Sequence, residues 1–134
     1  MFSPRTKVLV VDDFSSVREM TVRALKELGF IHFIEAADGK IAWRALLSSI
    51  PPVGLIICDW NMPNSTGIDF LKKVRASERF KDLPFIISTT NNEKDQVLEA
   101  INLGVSNFIV KPCTVETLRQ KLETIANKKA QTKN

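Results

Sequence analysis

Histidine and cysteine are almost missing from this chain: its 134 residues hold one histidine, His32, and two cysteines, Cys58 and Cys113. The cysteines form no C-x-x-C pair, so they read as reduced thiols buried as small apolar side chains. Five glycines and six prolines, with 44% hydrophobic and 25% charged residues, exclude global disorder. No apolar run is long enough to cross a bilayer, and the opening MFSPRTK lacks the apolar stretch of a secretory signal. A soluble, cytoplasmic chain without membrane insertion is expected. The net charge of +4 is not gathered into a reading helix or interleaved with stacking aromatics, so no nucleic-acid partner is expected. The group Lys72, Lys73, Arg75, Arg79 and Lys81 and the tail lysines 128, 129 and 133 read as solvated surface.

The length suits one domain, residues 1–134, with a single proper core. Along it, short apolar runs alternate about five times with segments whose apolar residues lie three and four apart, the pattern of βα repeats. Strands are expected at Lys7 to Val11, Phe33 to Ala36, Val53 to Cys58, Phe85 to Ser88 and Asn107 to Val110. The first helix is expected to bury Val17, Met20, Ala24, Leu25 and Leu28, with Ser16 and Glu19 as a capping box and Gly29 at its end. Asp38 and Gly39 turn into a second helix carrying Ile41, Ala45 and Leu46, and Gly67 leads into a third that turns Ile68, Leu71 and Val74 inward. A helix from Lys94 to Leu103 should bury Val97, Ala100 and Ile101, and Thr114 should cap a last one that buries Val115, Leu118, Leu122 and Ile125. The continuously apolar third strand implies helices on both faces of an open, doubly wound parallel sheet.

In such sheets ligands sit outside the carboxyl ends of the strands. Those ends carry Asp12 and Asp13 on the first strand, Asp59 on the third, Thr89 and Thr90 on the fourth and Lys111 on the fifth. Three carboxylates brought together repel and call for positive charge; Lys111 supplies one, and a hard divalent cation would supply the rest. Oxygen ligands without histidine or cysteine favour magnesium, with manganese as the alternative, over zinc. A carboxylate can attack phosphorus to form an aspartyl phosphate, and the cation, the hydroxyl and the ammonium would steady the transferring group. Asp59, central and at the end of the most buried strand, is the candidate nucleophile.

These stretches, VLVVDDFSSVRE, KELGF, CDWNMPNSTG, STT and FIVKP, resemble the receiver domain of two-component response regulators, and among them the single-domain chemotaxis regulators. The resemblance covers about residues 7–126 and implies a flavodoxin-like (βα)5 fold with strand order 2-1-3-4-5 and no output domain. It further implies that Asp59 is the phosphoacceptor, that Asp12, Asp13, Asp59 and the backbone carbonyl of Asn61 hold magnesium, and that Thr89 and Lys111 contact the phosphoryl oxygens. Thr89 and Phe108 would form the switch. Such a protein is not an enzyme, though it assists its own phosphorylation and dephosphorylation. The implied partners are a histidine kinase, a flagellar motor switch protein or other target on the face of the last two helices and the fifth strand, and a phosphatase.

Some positions depart from the resemblance. Phe108 stands where the chemotaxis relatives carry a tyrosine, Thr90 is bulkier than the usual residue, Asn91 is a neutral amide where the phosphoryl lifetime is set, and Cys113 follows the Lys-Pro pair where a larger apolar residue is common. A Cys58 to Cys113 disulfide is not expected, because the fourth strand should separate them. His32 lies away from the site. Trp60, next to Asp59, should report on it optically. A phosphorelay shuttle or a phosphate sink would use the same chemistry. A small aspartyl-phosphate phosphatase would want a carboxylate where Asn61 stands, a flavin module would meet repulsion from Asp12 and Asp13, and an unphosphorylated interaction module would not need all five site groups.

Overall fold

The computed structural model describes residues 2–60, 62, 66–90 and 94–132. Five strands, β1 (Lys7–Val11), β2 (His32–Ala36), β3 (Val53–Asp59), β4 (Phe85–Thr89) and β5 (Asn107–Val110), alternate with five helices, α1 (Ser15–Glu27), α2 (Gly39–Ser48), α3 (Gly67–Ala76), α4 (Lys94–Asn102) and α5 (Val115–Thr132). All strand pairings are parallel and the sheet order is β2-β1-β3-β4-β5. The order reverses between β1 and β3, where the chain winds first to one side and then to the other.

Side chains alternate across the sheet, and each face has its own apolar layer. Leu9, Val11, Ile56, Cys58, Phe85 and Ile87 pack under α2, α3 and α4, against Ala42, Leu46, Leu71, Val74 and Ala100. Val8, Val10, Leu55, Ile57, Ile86 and Ile109 face the other way, against Val22, Leu25, Leu118 and Leu122 of α1 and α5. Burial on both faces is why β3 reads as an unbroken apolar run. No helix among the described residues is long and apolar enough to cross a membrane.

Local signals set most helix ends. Asp38 accepts from the Ile41 amide at 2.9 Å, and Thr66 and Asp69 exchange the two bonds of a capping box. Thr114 Oγ1 accepts from the Thr117 amide at 3.2 Å. Gly29, with φ 103°, ends α1 in the left-handed region. The box expected from Ser16 and Glu19 does not form, because α1 already starts at Ser15 with Phe14 as its N-cap. The burial of two helices also differs from expectation. Met20 is 54% exposed, since the inner stripe of α1 is centred on Thr21 and Leu25 and leaves Met20 at its edge. Ile101 is likewise exposed, because α4 turns Ala100 inward and Leu103, just past its end, packs against the same layer.

One glycine determines how closely α3 approaches the end of β3. A Cβ at Gly67 would overlap the backbone carbonyl oxygen of Asp59, and the Gly67 amide donates to the Trp60 carbonyl at 2.8 Å. Gly67→Ala must push α3 or the Asp59 backbone aside. It is expected to cost about 1–3 kcal/mol in urea unfolding, as overpacking does; an unchanged midpoint would show that the contact relaxes freely.

Candidate functional site at the carboxyl edge of the sheet

The register brings the expected residues to one edge. Val11 pairs with Cys58, Asp59 with Ser88, and Thr89 with Val110, so the residues that end or follow β1, β3, β4 and β5 form a single row. Asp12, Asp59 and Thr89 are buried, and Asp13 and Lys111 are half-buried.

Asp12 is held at every polar group. Its amide donates to Ala36 O at 3.0 Å, its Oδ1 accepts from the Phe14 amide at 3.0 Å, its Oδ2 takes the Lys111 ammonium at 2.8 Å, and its carbonyl accepts from Arg18 Nη1 at 2.6 Å. Lys111 Nζ also lies 3.0 Å from Asp59 Oδ1, so one ammonium bridges carboxylates from β1 and β3. Burial alone would lower the Lys111 pKa, but the hydrogen bonds and charges of Asp12 and Asp59 outweigh it and hold the ammonium above its usual range. The peptide after Asp59 is also fixed: the Trp60 amide donates to Ser88 O and the Trp60 carbonyl accepts from Gly67. Trp60 itself is buried beside the site.

Asp13 contrasts with this fixation. Its Oδ1 is buried and has no hydrogen-bond partner among the described residues. Oxygen atoms of Asp12, Asp13 and Asp59 lie within 4.8 Å of one another, and two unit charges at that separation repel by roughly 3 kcal/mol at an effective dielectric near 20. The Lys111 ammonium bridges two of these three carboxylates. A buried orphan oxygen within an all-oxygen cluster fits a hard divalent cation that keeps part of its water shell, and the three aspartates are the groups that can hold it. Asn61 and Asn91, expected to provide a metal carbonyl and to set the phosphoryl lifetime, lie outside the described residues.

Phe108 pairs with Ile87, and Val110 with Thr89, so Phe108 and Thr89 are diagonal neighbours on one face of the sheet. The half-buried Phe108 ring has Lys121 Nζ 4.9 Å from its centroid. Thr90 is exposed, and His32 is exposed at the start of β2, the opposite end of that strand from the site. Both thiols are free. Burial, then the Asp59 and Asp12 charges, push Cys58 well up from the ordinary thiol range; burial also raises Cys113. Cys113 packs, partly buried, against the α1 and α5 layer. Arg18 is a neighbour of the site that the sequence did not signal. It acts through a main-chain carbonyl, and no spacing signals that.

A sheet wound this way, with paired acids after β1, an acid ending β3 and a lysine after β5, defines a receiver. The family model for the response regulator receiver domain matches residues 8–123, and the chain belongs to that family. It is a phosphorylation-activated switch of the two-component type. Among its relatives are the chemotaxis protein CheY of Pseudomonas aeruginosa, 44% identical over 89% of this chain and 94% of that protein, and CheY1 of Helicobacter pylori (strain J99), 44% identical over 89% and 95%. The solved structure of Vibrio cholerae CheY4 superposes with a TM-score of 0.82 at 34% identity, over 90% of this chain and 98% of that one.

Asp13→Asn removes a repelling charge and no hydrogen bond to Oδ1. Without divalent cations the variant is expected to be more stable than the parent by about 1–2 kcal/mol, the repulsion above discounted for solvent screening. Magnesium should raise the melting temperature of the parent by mass action and leave the variant unmoved. A destabilised variant that still responded to magnesium would contradict the geometry.

Proposed function

We propose that Asp59 is the phosphoacceptor of this receiver and that Asp12, Asp13 and Asp59, with the backbone carbonyl of Asn61, hold magnesium, manganese fitting the same ligands. The observation that carries this reading is the Lys111 ammonium bridging Asp12 and Asp59 next to the unpartnered Asp13 oxygen. An Asp59 oxygen attacks the phosphorus of a phosphohistidine on a partner kinase. The new P–O bond forms as the P–N bond breaks, and the imidazole, already protonated on its other ring nitrogen, leaves neutral with the electron pair of that bond. Once bound, the cation offsets charge on the phosphoryl oxygens. Lys111 remains protonated throughout and turns from the carboxylates towards the incoming oxygens, assisted by the Thr89 hydroxyl.

The same groups that assist phosphoryl transfer would assist its reversal by water, so the chain acts as a signalling phosphoacceptor with a self-limited lifetime. Thr89 drawn towards the phosphoryl group would vacate space on the face it shares with Phe108, and the ring would turn inward. Phe108 has no hydroxyl, so its orientation would be read through shape and through the Lys121 contact. Leu98, Ile101 and Val110, each at least 40% exposed, give α4 and β5 an apolar surface on the face completed by α5. That surface suits a target protein, and by similarity to the chemotaxis relatives the target is a component of the flagellar motor switch, with a phosphatase as a further partner.

Incubation with magnesium and acetyl phosphate is expected to give a single phosphoryl adduct by intact mass, absent without magnesium and absent in Asp59→Asn. An adduct of equal yield in that variant would move the acceptor elsewhere.

A further inference from the structure

Asp12 and Asp13 share a peptide unit, and its orientation determines where the Asp13 carboxylate points. The Asp12 amide, on the other side of its Cα, is fixed to Ala36 O at the end of β2. The shared peptide itself has its carbonyl bound by Arg18 Nη1 at 2.6 Å. Arg18 Nε donates in turn to Glu35 Oε1 on β2 at 3.1 Å, so both ends of one planar guanidinium are occupied. The Arg18 side chain is 18% exposed and that of Glu35 42% exposed. An ion pair so open to water adds little to global stability.

We infer that, given a cation held by the three aspartates as proposed above, Arg18 is a positioning residue for it. The guanidinium ties the peptide between Asp12 and Asp13 to the edge strand and so aims the orphan Asp13 oxygen into the cluster. The effect is orientation rather than charge. A guanidinium near the site repels a divalent cation, so a purely electrostatic Arg18 would weaken metal binding, whereas a positioning Arg18 strengthens it. Removing the side chain therefore moves affinity in opposite directions under the two roles. Lysine keeps the charge but, as a compact ammonium, cannot reproduce a fork that donates from Nε to Glu35 and from Nη1 to Asp12.

The test is a magnesium chloride titration of the full chain, followed by tryptophan fluorescence through Trp60, for the parent, Arg18→Met, Arg18→Lys and Glu35→Gln, with thermal melting of each in the absence of metal. Arg18→Met is expected to bind magnesium about tenfold more weakly, in the range seen when an outer partner of a metal ligand is lost. Arg18→Lys should not restore parental affinity. Glu35→Gln, a change on an exposed side chain that leaves the fold intact, should weaken binding by a smaller factor in the same direction. Melting temperatures should shift by no more than a few degrees. Parental or tighter affinity in Arg18→Met, or full recovery in Arg18→Lys, overturns the assignment. A parent chain that itself fails to bind magnesium removes the metal reading and this role with it, a result distinct from parental binding that the variants leave unchanged.

Discussion

A single ammonium spanning two carboxylates organises this molecule. Lys111 arrives at the end of β5 and reaches Asp12 beyond β1 and Asp59 at the end of β3, tying together strands that are not all neighbours in the sheet. The bridge leaves the cluster short of positive charge. Asp12 is satisfied at every polar group, while Asp13 contributes a buried oxygen with no partner among the described residues. Such an arrangement is costly in isolation and would become favourable if the proposed cation and phosphoryl group entered. The tension is local and it is what makes the site responsive.

The rest of the fold resists that tension. Leu9, Ile56, Phe85 and Ile87 on one face, and Val8, Leu55, Ile57, Ile86 and Ile109 on the other, are fully or almost fully buried, so the strand ends cannot drift apart to relieve the repulsion. Gly67 lets α3 press against the carbonyl of Asp59, and the Trp60 peptide is bound from both sides by Ser88 and Gly67. Asp59 thus projects from a backbone with little freedom, as the in-line nucleophile proposed for it would require. On the next strands, Thr89 and Phe108 sit diagonally on one face, so a displacement at the hydroxyl has a short path to the exposed apolar side chains of α4 and β5.

The sequence made much of this legible, for physical reasons. Strand positions followed from apolar runs that only a doubly covered parallel sheet explains, and the carboxylates, hydroxyls and ammonium at the ends of four strands marked the edge where a ligand belongs. Amphipathic periodicity was less exact at the margins of the helices. Met20 and Ile101 fit an apolar stripe by spacing alone, yet the sheet selects Thr21 and Ala100, because burial depends on how each helix is rolled against its neighbours. Ser16 and Glu19 have the spacing of a capping box, but α1 begins before them, and Asp12 and Phe14 shape the entry instead. Arg18 escaped notice because its contact to the site is with a carbonyl oxygen, a group that every residue carries and that sequence does not distinguish.

The account stands on Asp59 receiving a phosphoryl group in front of Lys111 and Thr89, next to a cation held by the aspartates. The most direct measurement is a crystal structure grown with magnesium, beryllium and fluoride, which mimic a stable acyl phosphate. The account predicts a beryllium bound to Asp59, fluorides reached by Lys111 and Thr89, and a metal ion at Asp12, Asp13 and Asp59. Beryllofluoride on another side chain, or a metal that avoids Asp13, would contradict it.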